Sequence, residues 1–134
     1  MFSVQQKVLF RHCDPAGIVF FPRYFEMMND CIESFFDNGL KCPFEKFIQS
    51  AGIPTVSIAT TFNSPSRHGD VLDIGLNVTR IGKTSFNYEM VCHCAAEQRF
   101  ITNATLVHID LNGIPIPLQN DIKLRLKDFI KVSS

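Results

Sequence analysis

PRYFEMMNDCIESFFDNG, residues 22–39, is the stretch on which the fold turns. Tyr24, Phe25, Met28, Cys31, Ile32, Phe35 and Phe36 recur at helical spacing, while Arg23, Glu26, Asp30, Glu33 and Asp37 fall elsewhere on the wheel. Pro22 suits a first helical turn, where its missing N–H costs nothing, and Gly39 suits the stop. The spacing predicts one amphipathic helix of about 16 residues, about 25 Å long.

Outside this stretch the period is two. Val56, Ile58 and Phe62 share one parity, and Leu72, Ile74, Leu76 and Val78 alternate with Asp73, Gly75, Asn77 and Thr79. Phe86, Tyr88, Met90, Cys92 and Cys94 alternate with Ser85, Asn87, Glu89 and His93, and a fourth run from Phe100 to Asp110 ends at Asn112-Gly113. Short connections at Arg67 to Asp70, Gly82-Lys83 and Glu97-Gln98 suit consecutive antiparallel neighbours. Upstream, Val4, Val8 and Phe10 share a parity, so a first strand is expected to run toward His12 and stop at Asp14-Pro15-Ala16-Gly17. A short helical piece is expected from Phe44 to Ser50, and the tail from Asn120 to Ile130 reads as a last strand or a closing helix. A sheet with one apolar face needs a cover, and the long helix is the available one. The fold class is therefore α+β, an antiparallel sheet wrapped around a long central helix.

The chain of 134 residues is about one domain long, so 1–134 is expected to be a single unit. Its 46% apolar and 19% charged residues are ordinary for a protein that buries a core. Thirteen basic and thirteen acidic side chains leave no net charge, which argues against nucleic acid or an acidic membrane as partner. The N-terminal residues lack the pattern of a signal peptide, and no apolar run is long enough to span a bilayer. With an odd number of cysteines, Cys13, Cys31, Cys42, Cys92 and Cys94, reduced thiols in the cytoplasm are expected. The glycine-rich phosphate loops and the G-x-S-x-G elbow of other enzyme classes are missing.

Chemistry concentrates in HCDPAGIVFFP, residues 12–22, which sets a carboxylate between a strand end and a helix start. N–H groups near Phe21 have no intrahelical acceptor, and the macrodipole is positive there. Such donors suit the oxyanion of acyl transfer, where one preorganised donor lowers the barrier by about 3 to 4 kcal/mol. An aspartate, ionised at neutral pH, can attack a carbonyl or take a proton from water, and the sequence leaves both roles open for Asp14. An isolated Asp-Pro also serves simply to shape a turn.

The longer stretch HCDPAGIVFFPRYFEMMND, residues 12–30, resembles the signature of the 4-hydroxybenzoyl-CoA thioesterase family of hot-dog enzymes, almost unbroken over Asp14 to Pro22. A weaker likeness, in strand order and in the turn Arg80 to Phe86, extends over most of the chain. The resemblance implies a hot-dog fold and an acyl-CoA thioesterase in which Asp14 is nucleophile or base, the backbone N–H of Phe21 polarises the thioester carbonyl, and Gly17 keeps the approach open. It implies a homodimer or homotetramer with sites between subunits, no cofactor, and a turn holding Lys83, Thr84 and Ser85 near the nucleotide end of coenzyme A. Phe20 and Phe25, with Phe21 and Met28, are candidates for an acyl pocket, although aromatic residues at helical spacing commonly form core. Asn29 stands where the member cleaving 4-hydroxybenzoyl-CoA carries a carboxylate. That departure puts this particular acyl group in doubt while leaving a side chain able to bond a hydroxyl.

Other signals are weaker. His12 and Cys13 are adjacent on an expected strand and so point to opposite faces, whereas His12 would share a face with Asp14 if the strand ran that far. Cys92-His93-Cys94 lacks the second ligand pair of a zinc site, so no metal is expected. Arg67-His68 reads as a solvated loop or a coenzyme A contact. A non-catalytic acyl-CoA or acyl-carrier binding module and a hot-dog dehydratase are the competing readings, and the intact Asp14 speaks for hydrolysis.

Overall fold

The computed structural model describes residues 1–131. Along the chain lie β1 (Phe2–Lys7), a 3-10 turn (Phe10–His12), α1 (Phe21–Ser34), a π turn (Phe35–Gly39), α2 (Phe44–Phe47), β2 (Thr55–Phe62), β3 (Val71–Ile81), β4 (Ser85–Cys94), β5 (Glu97–Val107) and α3 (Asn120–Lys127). The five strands form one antiparallel sheet in the order β1-β3-β4-β5-β2. Its inward parity includes Leu72, Ile74 and Leu76 on β3, Phe86, Met90 and Cys92 on β4, and Phe100 and Leu106 on β5. These share one buried cluster with Met27, Met28, Cys31 and Ile32 of α1. The expected sheet around a helix is the observed architecture.

Four local expectations are corrected. The first strand ends at Lys7 because the His12 ring captures a nearby donor: Leu9 N–H donates to His12 Nδ1 at 2.9 Å and folds the chain into the 3-10 turn. Phe10 is consequently 81% exposed rather than in register with Val4 and Val8. The last hairpin turns at Ala95-Ala96, both at positive φ (48° and 70°), so β5 already starts at Glu97, where the spacing predicts a connection. β5, expected to run on to Asp110, stops at Val107, where His108 N–H leaves the ladder for Thr84 O, and α2 is shorter than the expected Phe44 to Ser50. The tail resolves into the closing helix.

β2 also departs from a simple meander. It follows α2 but pairs with β5 at the far edge, while the segment 63–70 leads back to start β3 next to β1. Val56, Ile58 and Phe62, whose shared parity suggests burial, are exposed: among the described residues no strand pairs with the outer side of β2, and α1 covers its side chains only in part, at the Phe62 end and across the cavity beside Ile58. Among the described residues no helix is long and apolar enough to cross a membrane.

Candidate active site

Asp14 sits on a tight reversal closed by the isolated bridge between Cys13 and Val19. Its N–H donates to Ile18 O and its carbonyl accepts Gly17 N–H, both at 2.9 Å. Ala16 N–H donates to Asp14 Oδ1 at 2.9 Å, which orients the carboxylate and leaves Oδ2 for other work. Gly17 has φ +80°, and a Cβ built there would meet nothing within 4 Å, so the turn calls for glycine by backbone conformation rather than by space. The half-buried Asp14 borders a cavity of about 520 Å³ together with Phe10, Cys13, Gly17 and His68.

The same reversal delivers the helix. Phe20 N–H donates to His12 O at 2.9 Å, and Phe20 caps α1 with extended backbone. Phe21 is the first helical residue, Pro22 has no N–H, and Arg23 N–H turns back to Phe20 O at 2.8 Å. Among the described residues Phe21 N–H has no acceptor, so the entrance offers one free donor at the positive end of the macrodipole. Phe20 and Phe21 are exposed beside it, and the Phe21 and Phe62 rings meet at 6.1 Å.

A buried polar strut, missed by motif reading, ties turn and helix to the sheet. Ser66 is fully buried; its carbonyl accepts Val19 N–H at 2.8 Å, and its hydroxyl bonds Tyr24 OH (2.8 Å) and Arg99 Nη1 (3.0 Å). Arg99 Nη1 also reaches Asp70 Oδ2 at 2.8 Å and Pro65 O at 3.1 Å. Its Nε lies 2.8 Å from Glu97 Oε1 without the alignment of a hydrogen bond. The Arg67 N–H, and then the Arg99 guanidinium, hold the Asp70 carboxyl below its usual range. Ser66 and Arg99 stand outside the helix-entrance motif, and only the fold brings them to it.

His12 does not share a face with Asp14 on a strand. Its Nδ1 accepts Leu9 N–H, which puts the proton of the neutral ring on Nε2, and burial, reinforced by Arg11, holds its pKa below the ordinary value. Cys92 is buried while its neighbour His93 is exposed, as strand alternation requires, and among the described residues no three His, Cys, Asp or Glu side chains gather as metal ligands.

Farther along α1 a second cavity, of about 400 Å³, opens between the helix and β2. Phe25, Met28 and Asn29 line it from the helix, Thr55 and Ile58 from β2, and Tyr88 from β4. Asn29 Nδ2 donates to Glu33 Oε2 at 3.1 Å. Lys83, Thr84 and Ser85 lie elsewhere. Val8 N–H donates to Asp70 O, so the chain leading into the Asp14 turn is beside the start of β3, whereas Lys83 follows its end, after eleven residues or about 36 Å of extended strand. One chain does not bring Lys83 to Asp14.

Residues 8–126 match the model of the thioesterase-like superfamily. The chain belongs to this family. Over 90 residues it is 32% identical to the 4-hydroxybenzoyl-CoA thioesterase of Pseudomonas sp. (strain CBS-3), a match taking in 63% of this chain and 62% of that protein, less than two thirds of the relative's length. Among solved structures, a gentisyl-coenzyme A thioesterase superposes with TM-score 0.87 at 21% identity, covering 93% of this chain and 99% of the other. A 1,4-dihydroxy-2-naphthoyl-CoA thioesterase from Synechocystis gives TM-score 0.87 at 22% identity, covering 95% and 96%. At these identities the structures show the shared hot-dog fold.

Proposed function

We propose that the chain hydrolyses acyl-CoA thioesters to the free acid and coenzyme A. The observation that carries this reading is the single reversal that fixes the Asp14 carboxylate and leaves Phe21 N–H as the free donor of the helix entrance. With the thioester oxygen on Phe21 N–H, the carbonyl carbon is polarised and the developing oxyanion is stabilised by a donor and dipole already in place. Asp14 Oδ2 then attacks that carbon, expelling the coenzyme A thiolate and leaving an anhydride that water opens, or it takes the proton of a water that attacks instead. In either route the reacting groups are the Asp14 carboxylate, the Phe21 N–H and water, with no cofactor called for.

The working unit in this reading is a homodimer or larger, with the site shared between copies. Thr55–Phe62 is an uncharged edge strand with Val56, Ile58 and Phe62 exposed. A two-fold axis would pair two such edges antiparallel, setting the Phe62 end of one beside the Thr55 end of the other. Because Phe62 adjoins the helix entrance and Thr55 lines the 400 Å³ cavity, each entrance would face the partner's cavity. Phe20, Phe25 and Asn29 would then contact an aromatic or short to medium acyl group, and Lys83, with Thr84 and Ser85, would reach coenzyme A from a neighbouring copy. All five thiols are free, which supports a reducing compartment such as the cytoplasm.

Asp14→Asn tests the assignment: hydrolysis should fall at least about a hundredfold with coenzyme A affinity nearly unchanged. A variant turning over its best thioester at the native rate would refute the role given to Asp14, whereas a wild type that releases no thiol from any acyl-CoA would leave the alternative, a hot-dog module that binds acyl-CoA or acyl-carrier protein without turnover.

A further inference from the structure

Tyr88 carries a polar group that the fold leaves unemployed. It stands on β4 in the inward parity, opposite Val78 on β3 and Ala104 on β5, and is only 2% exposed. Among the described residues its hydroxyl makes no hydrogen bond, yet the side chain lines the 400 Å³ cavity beside Met28, Ile58 and Leu106. Tyr24, the other tyrosine, shows the usual solution: its hydroxyl is buried but bonded to Ser66. A phenylalanine at position 88 would fill the same space without a donor left wanting a partner.

We propose that Tyr88 is a specificity residue, its hydroxyl bonding an oxygen carried by the acyl group at the end remote from the thioester. This rests on the thioesterase reading. The volume lies near the lower limit for small-molecule sites, which suits a ring or a short chain rather than a long one. Neither Lys nor Arg lines the cavity, so a neutral oxygen fits and a distal carboxylate does not. Burial pushes the Tyr88 phenol up to about 12, so the hydroxyl stays a donor through the neutral range. At the rim, Asn29 commits its Nδ2 to Glu33, and its Oδ1 remains an acceptor. A hydroxyl, which both donates and accepts, suits the two groups better than an ether or a ketone.

Tyr88→Phe tests the proposal against matched substrates, benzoyl-CoA and its ring-hydroxylated counterparts. The wild type should prefer at least one hydroxylated thioester by about tenfold or more in kcat/KM, the scale expected when a buried polar partner is satisfied or orphaned. The variant should lose that preference through KM while turning over benzoyl-CoA within about twofold of the native rate. Its Tm should stay level or rise, since an unpaired hydroxyl has been removed; a purely structural role for the hydroxyl predicts a fall instead. An unchanged preference in the variant overturns the proposal. Calorimetric titration of hydroxylated and plain aromatic acids into both proteins separates this result from failure of the parent reading. A hydroxyl preference that vanishes in Tyr88→Phe without any turnover would sink hydrolysis and sustain the cavity assignment. Equal affinities for the two acids in the wild type would defeat the assignment whatever the rate.

Discussion

β1 and β2 both leave one side without a neighbouring strand, yet they are furnished differently. β1 alternates half-buried and exposed residues, sends Phe2 against Phe35 and Phe129 with ring separations of 5.4 and 6.4 Å, and ends in Lys7. β2 has no charge from Thr55 to Phe62, and Val56 is 60% exposed. Lysine and a finished apolar face are how natural sheets protect an edge, whereas a long uncharged apolar edge is one that another chain is meant to cover. The contrast makes β2, the edge that also lines the cavity, the one the proposed dimer would cover.

The strongest way to break this comparison is to place the same charge on both edges. Val56→Lys should reduce the particle from at least twice the 15.2 kDa chain mass to a single chain, and should cut hydrolysis at least about a hundredfold, because the site loses a partner's groups. Ser3→Lys on β1 should alter neither. Light scattering with a thiol-release assay reads both, and a fully active Val56→Lys monomer would end the argument for a shared site.

A smaller effect is expected at the strut. Arg99→Met leaves Asp70 and the Ser66 hydroxyl without their cation and should cost about 3 kcal/mol in denaturant unfolding. Its kcat should fall more than its KM rises, since Val19 and Tyr24, the contacts Ser66 holds, flank the helix entrance. The proposed dimer should be unaffected.

The smallest effect is one of pH. His12 has a folded pKa below its ordinary 6.5, so it is neutral in the fold and binds a proton more readily when unfolded. Stability from this residue is complete above 6.5 and is lost as pH falls from there through the lower folded value, ahead of any loss from Asp70, whose depressed carboxyl titrates below 3.8. A Tm series from about pH 7.5 to about pH 4.5 should show the early decline. His12→Asn, whose amide oxygen can still receive Leu9 N–H, should remove it.

Elements with a strong period are legible in the sequence alone: α1, the inward parities of β3 and β4, and the carboxylate at the helix start. Legibility fails where a side chain competes with the backbone or where partners are remote. The His12 ring ends β1 early by taking Leu9 N–H, and no alternation of apolar residues reports such a capture. Ala95-Ala96 turns the hairpin without the Asn-Gly or Asp-Gly that usually marks it. The exposure of Val56, Ile58 and Phe62 escapes the pattern because parity says which residues share a face, not whether one chain covers it. Ser66 and Arg99 reach the Asp14 turn only through the segment that leads from the far-edge strand back to β3.

Pro22 bears on how the proposed reaction would end. By silencing the second N–H of α1, it makes the entrance a one-pronged cradle, suited to the lone oxygen that becomes charged during acyl transfer. The departing acid carries two oxygens sharing one negative charge, finds a single prong, and faces the like charge of Asp14. In the proposed hydrolysis, grip would therefore be greatest midway and weakest once the thioester is cleaved, which would favour clearance of the product.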